Sequence, residues 1–217
     1  FSTGPHVATQ AFEVGDPTLA RERSLGGELY ARATVRGFRL NATVYATRFD
    51  DYIFQAATGE ERDGLPVFQY FQGDATYWGA DLGATLPVAQ LAGWRIVADG
   101  VADYVRATIA GRGPVPRIPP LRLLAGLEAE SDSVDGRFEI EHVFGQDRVA
   151  AFETPTDGFT LVNASVTWRP WGRRNPTSLI FSANNLLDVE ARRHASFTKD
   201  FVPLAGRDFR VSARISF

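Results

Sequence analysis

The final stretch of the chain reads Phe209-Arg210-Val211-Ser212-Ala213-Arg214-Ile215-Ser216-Phe217. Every second side chain in this stretch is apolar, and the residues between them are arginine or serine. A helix would distribute the arginines around its axis, whereas a β-strand places the apolar groups on one face and the polar groups on the other. The period of two therefore predicts an amphipathic strand.

The same alternation occurs in three further segments, which cover residues 160–169, 121–130 and 24–36. Less regular candidates for strands cover about residues 38–54, 66–85, 94–108, 136–146 and 177–187. No segment shows a convincing helical period. The sequence therefore predicts an all-β, antiparallel architecture of about nine strands.

Composition and charge exclude several classes of protein. Hydrophobic residues make up 44% of the chain and charged residues 23%, which excludes a disordered or fibrous protein. The net charge of -3 provides no basic field for phosphates, so we expect no nucleic-acid partner. The sequence lacks cysteine and the common hydrolase, zinc-protease and nucleotide-binding motifs. We therefore expect no enzymatic activity and no cofactor.

The length of the strands favours a transmembrane β-barrel. Several run past ten residues, while strands of soluble sheets usually have five or six, and about nine to eleven tilted residues cross the hydrocarbon. Outer-membrane barrels also alternate short turns with long loops. Here short connections follow Val35, Pro87, Ser131 and Pro170, and long ones lie at 1–20, 55–66, 108–118, 146–158 and 188–206.

Aromatic residues are expected near the strand ends, where they would form the girdles of a membrane barrel. The candidates are Trp78, Trp94, Trp168 and Trp171, with Tyr77 and Tyr104. The alternative is that they cap the core of a soluble β-sandwich. Pro119 and Pro120 lack the amide hydrogens that a ladder needs, so they should precede a strand at the long-loop rim.

The sequence resembles the C-terminal part of a TonB-dependent outer-membrane receptor. The residues that carry the resemblance are Gly4–Thr9, Phe12–Leu19, Glu22–Ser24, Asp74-Ala75, Gly79–Leu82, Pro116–Arg122, Glu153–Phe159, Asn184–Asp188, Gly206-Arg207 and the terminal aromatic residue. The resemblance implies that residues 1–217 supply about nine strands of a 22-stranded barrel. The plug domain, the earlier strands and the segment that binds TonB would then belong to sequence outside this chain.

The same resemblance implies the location and the partners of the protein. The location would be the outer membrane, where the barrel contacts lipid, encloses the plug and takes up a scarce solute with energy delivered through TonB. Phe217 would serve as the signal for membrane assembly. The rival interpretations from the residues are a passive porin-like channel and a soluble β-sandwich that binds a ligand.

Histidines in the long loops are the candidate metal ligands. The stretch from Gly4 to Leu19 is most similar to the zinc-uptake branch of the family, which makes zinc a possible cargo. Because zinc sites need three or four ligands, His6 and His194 would require a carboxylate or a ligand from the plug. The candidate carboxylates are Glu13, Asp16 and Asp200.

Two alternatives to a zinc site remain open. The histidines could simply be solvated loop residues. The cargo could instead be a ferric chelate held by arginine and aromatic side chains, for which the candidates are Tyr70, Phe71, Arg192 and Arg193.

Overall fold

The computed structural model describes residues 3–175 and 177–215, and within them the chain forms one twelve-stranded sheet. The strands are β1 (Gly4–His6), β2 (Ala11–Val14), β3 (Arg23–Val35), β4 (Phe38–Arg62), β5 (Leu65–Leu91), β6 (Trp94–Ile109), β7 (Gly113–Pro114), β8 (Arg122–Glu130), β9 (Val134–Val143), β10 (Phe159–Trp168), β11 (Ser178–Asn184) and β12 (Asp208–Arg214). All nine predicted strands are present, and β1, β2 and β7 are short additions in the long loops.

The nine long strands form an antiparallel meander in which each pairs with the next along the chain, apart from the small β7. The sheet is unclosed, with β3 and β12 at its two edges, and is therefore a partial barrel. The described residues contain no helix long and apolar enough to cross a membrane. The predicted fold class is confirmed, while Phe217 lies outside the described residues.

The connection at 55–66, predicted as a long loop, is instead an extension of the hairpin β4–β5. The two strands pair as far as Arg62 and Leu65 and turn through Asp63 and Gly64, which have φ angles of 54° and 74°. Asp-Gly suits such a turn because both central residues of a type I′ turn need positive φ. The turn expected after Pro87 likewise comes later, at Ala92-Gly93, because β5 continues through an irregularity to Leu91.

The long hairpin explains why two aromatic residues lie away from strand ends. Tyr77 and Trp78 lie near the middle of β5, so their predicted placement is wrong, whereas Tyr104 lies towards the end of β6 as predicted. The rings of Trp78 and Tyr104 are 5.3 Å apart, close to the level where the pairing of β5 with β6 ends. Trp94 and Trp168 lie at strand ends as predicted.

The two faces of the sheet divide as the alternation predicts. The outer face, which carries Leu82, Leu127 and Val211, is apolar and exposed, while the inner face carries Asp81, Asp99 and related charged groups. Many of the charged groups pair with each other across neighbouring strands. Leu124, the one residue out of pattern in its strand, pairs with the inner-face residue Glu141.

Gly126 leaves room for an ion pair that reaches from β9 across β8 to β6. Arg137 on β9 reaches over β8 to Asp99 on β6, with Nη1 and Oδ1 2.7 Å apart. A Cβ atom at Gly126, which lies between them, would come within 2.5 Å of the Arg137 guanidinium and 2.8 Å of the Asp99 carboxylate. Any larger residue at Gly126 would therefore force these two side chains to shift. Arg137 also contacts Glu139 at 2.9 Å.

The two ends of the sheet differ in their connections. We call the end with the tight turns Arg36-Gly37 and Ala92-Gly93 the short-turn end, and the opposite end the long-loop end. Pro119 and Pro120 directly precede β8 at the long-loop end, as predicted. At this end β2 pairs in parallel with residues 67–69 of β5, along the part of the β5 edge that β6 does not cover.

We expect spin labels to separate the two faces of β10 when the complete protein is embedded in a bilayer. Labels at Val162, Ala164 and Val166 should be accessible to oxygen and shielded from water-soluble relaxing agents, because these residues lie on the apolar outer face. Labels at Asn163 and Ser165 should show the reverse. Equal aqueous accessibility at all five positions would contradict a lipid-facing wall.

Candidate functional site

The candidate ligands of the first loop form two separate local groups. The Nδ1 atom of His6 lies 2.9 Å from the hydroxyl of Thr9 and 3.9 Å from the carboxylate of Glu13. Asp16 instead accepts hydrogen bonds from the amide and the hydroxyl of Thr18, at 2.8 and 2.6 Å. Of the predicted carboxylates in this loop, only Glu13 is therefore near a histidine.

His194 lies in a buried polar cluster, which we call the loop hub and define as Glu153, Thr154, Thr156, His194 and Lys199. His194 and Lys199 are only 2% and 4% exposed. The Nε2 atom of His194 is 3.2 Å from Oε1 of Glu153, and its Nδ1 atom is 2.9 Å from the hydroxyl of Thr156. Both ring nitrogens therefore already have partners from this chain.

Lys199 provides the cation of the loop hub. Its ammonium group donates to the carbonyl of Thr154 at 2.7 Å and lies 3.2 Å from Glu153 and 3.3 Å from Nδ1 of His194. Lys199 is also the only lysine among the 23 lysine and arginine residues of the sequence. The ammonium thus lies between a carboxylate, a carbonyl and an imidazole.

Glu153 is held in its ionised form by its neighbours. Burial alone would raise the pKa of this carboxyl, but hydrogen bonds from His194 and from the amides of Ala150 and Arg117 outweigh burial and lower the pKa to about 2. Lys199 adds a favourable charge. The ionised carboxylate therefore joins three loops, since Arg117, Ala150 and His194 belong to different connections.

Asp200 lies beside the loop hub without touching His194. Its carboxylate accepts a hydrogen bond of 2.6 Å from the hydroxyl of Thr154. Within residues 3–175 and 177–215, no group of three or more histidine, cysteine, aspartate or glutamate side chains is close enough to hold a metal ion. A metal site that includes His6 or His194 would thus need ligands from outside the described residues or a rearrangement of these loops.

A cavity of about 520 Å³ lies below the loop hub at the long-loop end. Its aromatic wall comes from Phe54 on β4 and Phe71 on β5, whose ring centroids are 5.8 Å apart. The guanidinium of Arg112 lies over both rings, at 5.7 Å and 4.6 Å. Arg62 lines the same cavity and lies 4.6 Å above the ring of Phe12.

The cavity rests on the apolar cluster of the inner face. Phe54 and Ile109 are buried together with Val115 and Ile118, which the loop before β8 folds inward. Glu60 is the one carboxylate in the cavity wall, against the two arginines Arg62 and Arg112. The arrangement can therefore hold a ligand that combines negative charge with flat apolar surface.

The residues that the sequence predicted for chelate binding do not all line the cavity. Phe71 lines it, but Arg193 reaches down the inner wall and forms a two-pronged pair with Glu141 at 2.8 and 2.6 Å. Arg192 pairs with Glu190 and with the carbonyl of Lys199. Arg112 and Phe54 were missed, because nothing in their local sequence marks which arginine will face an aromatic pair.

The motif residues near the end of the chain have structural roles. Asn185 adopts a left-handed conformation with φ of 49° and donates to the carbonyls of Val189 and Ala205, which closes the last long loop at its base. Asp188 accepts a hydrogen bond from the amide of Arg207 at 2.8 Å. These residues fix the loop that delivers His194 and Lys199 to the hub.

Comparisons with known proteins agree with this architecture. The family profile described as "TonB dependent receptor-like, beta-barrel" matches residues 1–186. Among solved structures, the copper transporter OprC is similar with a TM-score of 0.82 and 21% identity over 92% of this chain. The FrpB iron transporter from Neisseria meningitidis (F3-3 variant) follows with 0.69 and 15% over 94%, and the siderophore receptor PirA from Acinetobacter baumannii with 0.66 and 14% over 95%.

The chain spans about a third of the length of these structures, with 32%, 32% and 33% of each covered. At these identities the similarity establishes the fold.

We expect Lys199→Met in the complete protein to loosen the loops at 146–158 and 186–206. Removing one partner of a buried ion pair leaves the charge of Glu153 uncompensated, which is strongly destabilising. Amide hydrogen exchange in both loops should accelerate, while exchange in the paired strands stays unchanged. Glu190→Gln is the matched control, because this carboxylate lies in the same loop but is exposed. Equal exchange in wild type and Lys199→Met would show that the hub does not hold the loops.

The hub should also open in acid. The pKa of Glu153 is depressed in the folded protein, so its contribution to stability is complete above its ordinary value of 4.5 and is lost as the pH falls towards about 2. Limited proteolysis of the loops at 146–158 and 186–206 should therefore increase over that range. In Glu153→Gln this acid-dependent increase should be reduced, and an unchanged pH profile in that variant would assign the transition to another group.

Proposed function

Because the chain belongs to the TonB-dependent receptor β-barrel family, we propose that it forms part of the wall of an outer-membrane receptor. This receptor would take up a metal by energy-coupled transport. The proposal covers the location, the coupling to TonB and the plug domain, all of which involve sequence beyond this chain. The family and its structural neighbours are receptors and transporters and not enzymes. This agrees with the lack of common catalytic motifs in the sequence.

For the cargo, we propose an anionic metal chelate with aromatic groups. The observation that carries this proposal is the cavity in which Arg112 lies over Phe54 and Phe71, with Arg62 nearby. Guanidinium groups pair with carboxylates or phenolates, and the phenyl rings pack against flat ligands. The FrpB iron transporter and the siderophore receptor PirA, which share this fold, support a chelate as the cargo class.

Zinc is the second candidate, and the pair of His6 and Glu13 favours it. These two groups are 3.9 Å apart, with the His6 side chain 54% and the Glu13 side chain 18% exposed, so they could provide two ligands of a site that the plug completes. His194 is less suited, because Lys199 already occupies the space beside its imidazole. The loop hub would have to open before His194 could bind a metal.

The inward-folded loop and the cavity support this proposal over a passive pore. A porin-like channel needs a continuous open lumen, whereas here the loop before β8 folds inward and packs Val115 and Ile118 against the inner wall. The exposed apolar outer face argues against a soluble β-sandwich, in which such faces would pack on each other.

Calorimetry on the complete receptor can decide between the two cargo classes. We expect Arg112→Gln to weaken binding of an anionic ferric catecholate about tenfold or more, because a charge-assisted contact is lost. Arg36→Gln is the matched control, since this arginine lies in a turn at the short-turn end. Unchanged chelate affinity in Arg112→Gln would remove the cavity from the binding site.

The same measurement with zinc alone tests the second candidate. If zinc is the cargo, wild type should bind it and His6→Ala/Glu13→Gln should not, while Arg112→Gln should have no effect. Failure of wild type to bind either probe would contradict both assignments.

A further inference from the structure

Two arginines without a carboxylate partner lie side by side on the outer face. Arg106 on β6 is exposed, and Arg148 reaches it from the loop after β9. Within the described parts of the chain neither takes part in an ion pair. The guanidinium of Arg148 donates only to neutral groups, the carbonyl of Ala107 at 3.0 Å and the hydroxyl of Thr108 at 2.7 Å. Two positive charges without a carboxylate partner are thus concentrated on a face that is mainly apolar.

The two positive charges disfavour each other. Burial and the neighbouring Arg106 both lower the pKa of Arg148, and only Tyr104 opposes them. Two like charges that line one cavity repel each other unless an anion lies between them. Asp147 lies nearby but forms no ion pair with either arginine.

The position of Arg106 along its strand coincides with the edge of the membrane. Trp94 and Tyr104 lie on the outer face of β6, ten residues apart, and about nine to eleven residues cross the hydrocarbon. Aromatic residues mark the two interfaces of such a span. Arg106 is the next outer-face residue after Tyr104, which places its guanidinium at the level of the lipid headgroups.

A cavity of about 340 Å³ opens beside the two arginines on this face. Its wall includes Tyr104, Leu121 and Phe144 together with Arg106 and Arg148. Trp78 packs against Tyr104 at 5.3 Å, and His142 packs edge-on against Phe144 at 4.6 Å. The cavity thus combines aromatic rings with guanidinium groups. This combination suits a lipid, whose acyl chains are attached to a charged headgroup.

We propose that Arg106 and Arg148 bind the phosphate group of a phosphorylated lipid in the membrane leaflet at the long-loop end. The planar guanidinium groups offer paired donors that fit phosphate oxygens. The bound phosphate would neutralise the repulsion between the two arginines and anchor the loop after β9 at the membrane surface. This site lies on the opposite face of the sheet from the Arg112 cavity, and it rests on the proposed membrane location of the wall.

Native mass spectrometry of the complete receptor in detergent tests this proposal. The probes are diphosphorylated lipid A, the same lipid without its phosphates, and inorganic phosphate. We expect wild type to retain the phosphorylated lipid about tenfold more strongly than the dephosphorylated one, and Arg106→Gln/Arg148→Gln to lose this preference. Arg48→Gln is the control, because Arg48 lies on the same outer face but already pairs with Asp50 at 3.4 Å.

Three results would overturn the proposal. These are equal retention of the two lipids by wild type, an equal loss of preference in Arg48→Gln, and retention of inorganic phosphate alone with no preference between the lipids. The wild-type comparison of the two lipids decides the matter even if the double variant fails to assemble. Arg106→Lys/Arg148→Lys keeps the charge without the planar donors and should retain an intermediate preference.

Cargo binding in the same preparations separates this inference from the proposed function. The double variant should bind the ferric catecholate as wild type does. A receptor that binds neither cargo probe but still prefers the phosphorylated lipid would contradict the cargo assignment and leave the lipid site intact.

Discussion

The structure depends on the pairing of the backbone from strand to strand. Each long strand bonds to its sequence neighbours in an antiparallel ladder, so the main-chain donors and acceptors of the interior strands are satisfied within the sheet. That requirement is absolute for a wall that faces hydrocarbon. Once the ladder is fixed, side chains must alternate between two faces, and the division into an apolar outside and a charged inside follows from sequence alone.

The long-loop end is stabilised by a different kind of interaction. Its loops cannot use a ladder, so buried polar groups hold them together instead. Glu153 accepts from two loop amides and contacts both His194 and Lys199, which makes one carboxylate the common partner of three connections. Beneath it, the inward-folded loop before β8 packs on the aromatic wall and shapes the cavity. The fold of the loops therefore determines which arginines face a solute.

The sequence predicted the regular part of the fold well, because a period of two reports directly on local geometry. It failed for the hairpin extension around Asp63-Gly64, where both strands continue beyond the level at which their other neighbours stop. The site was harder to predict. His194 and the motif containing Glu153 were recognised separately, but their contact and the role of Lys199 depend on loops that lie about 40 residues apart in sequence. Arg112 could be identified as a candidate binding residue only from its tertiary contact with Phe71.

The burial of Lys199 has a consequence for the chemistry of the surface. Since every other basic side chain is an arginine or a histidine, the described exterior displays no primary amine from a side chain. Guanidinium groups remain protonated at physiological pH and are poor nucleophiles. Acylating or aldehyde-bearing molecules near this wall would thus find no reactive nitrogen on a lysine, and the one such nitrogen is shielded in a cluster that must come apart before it can react.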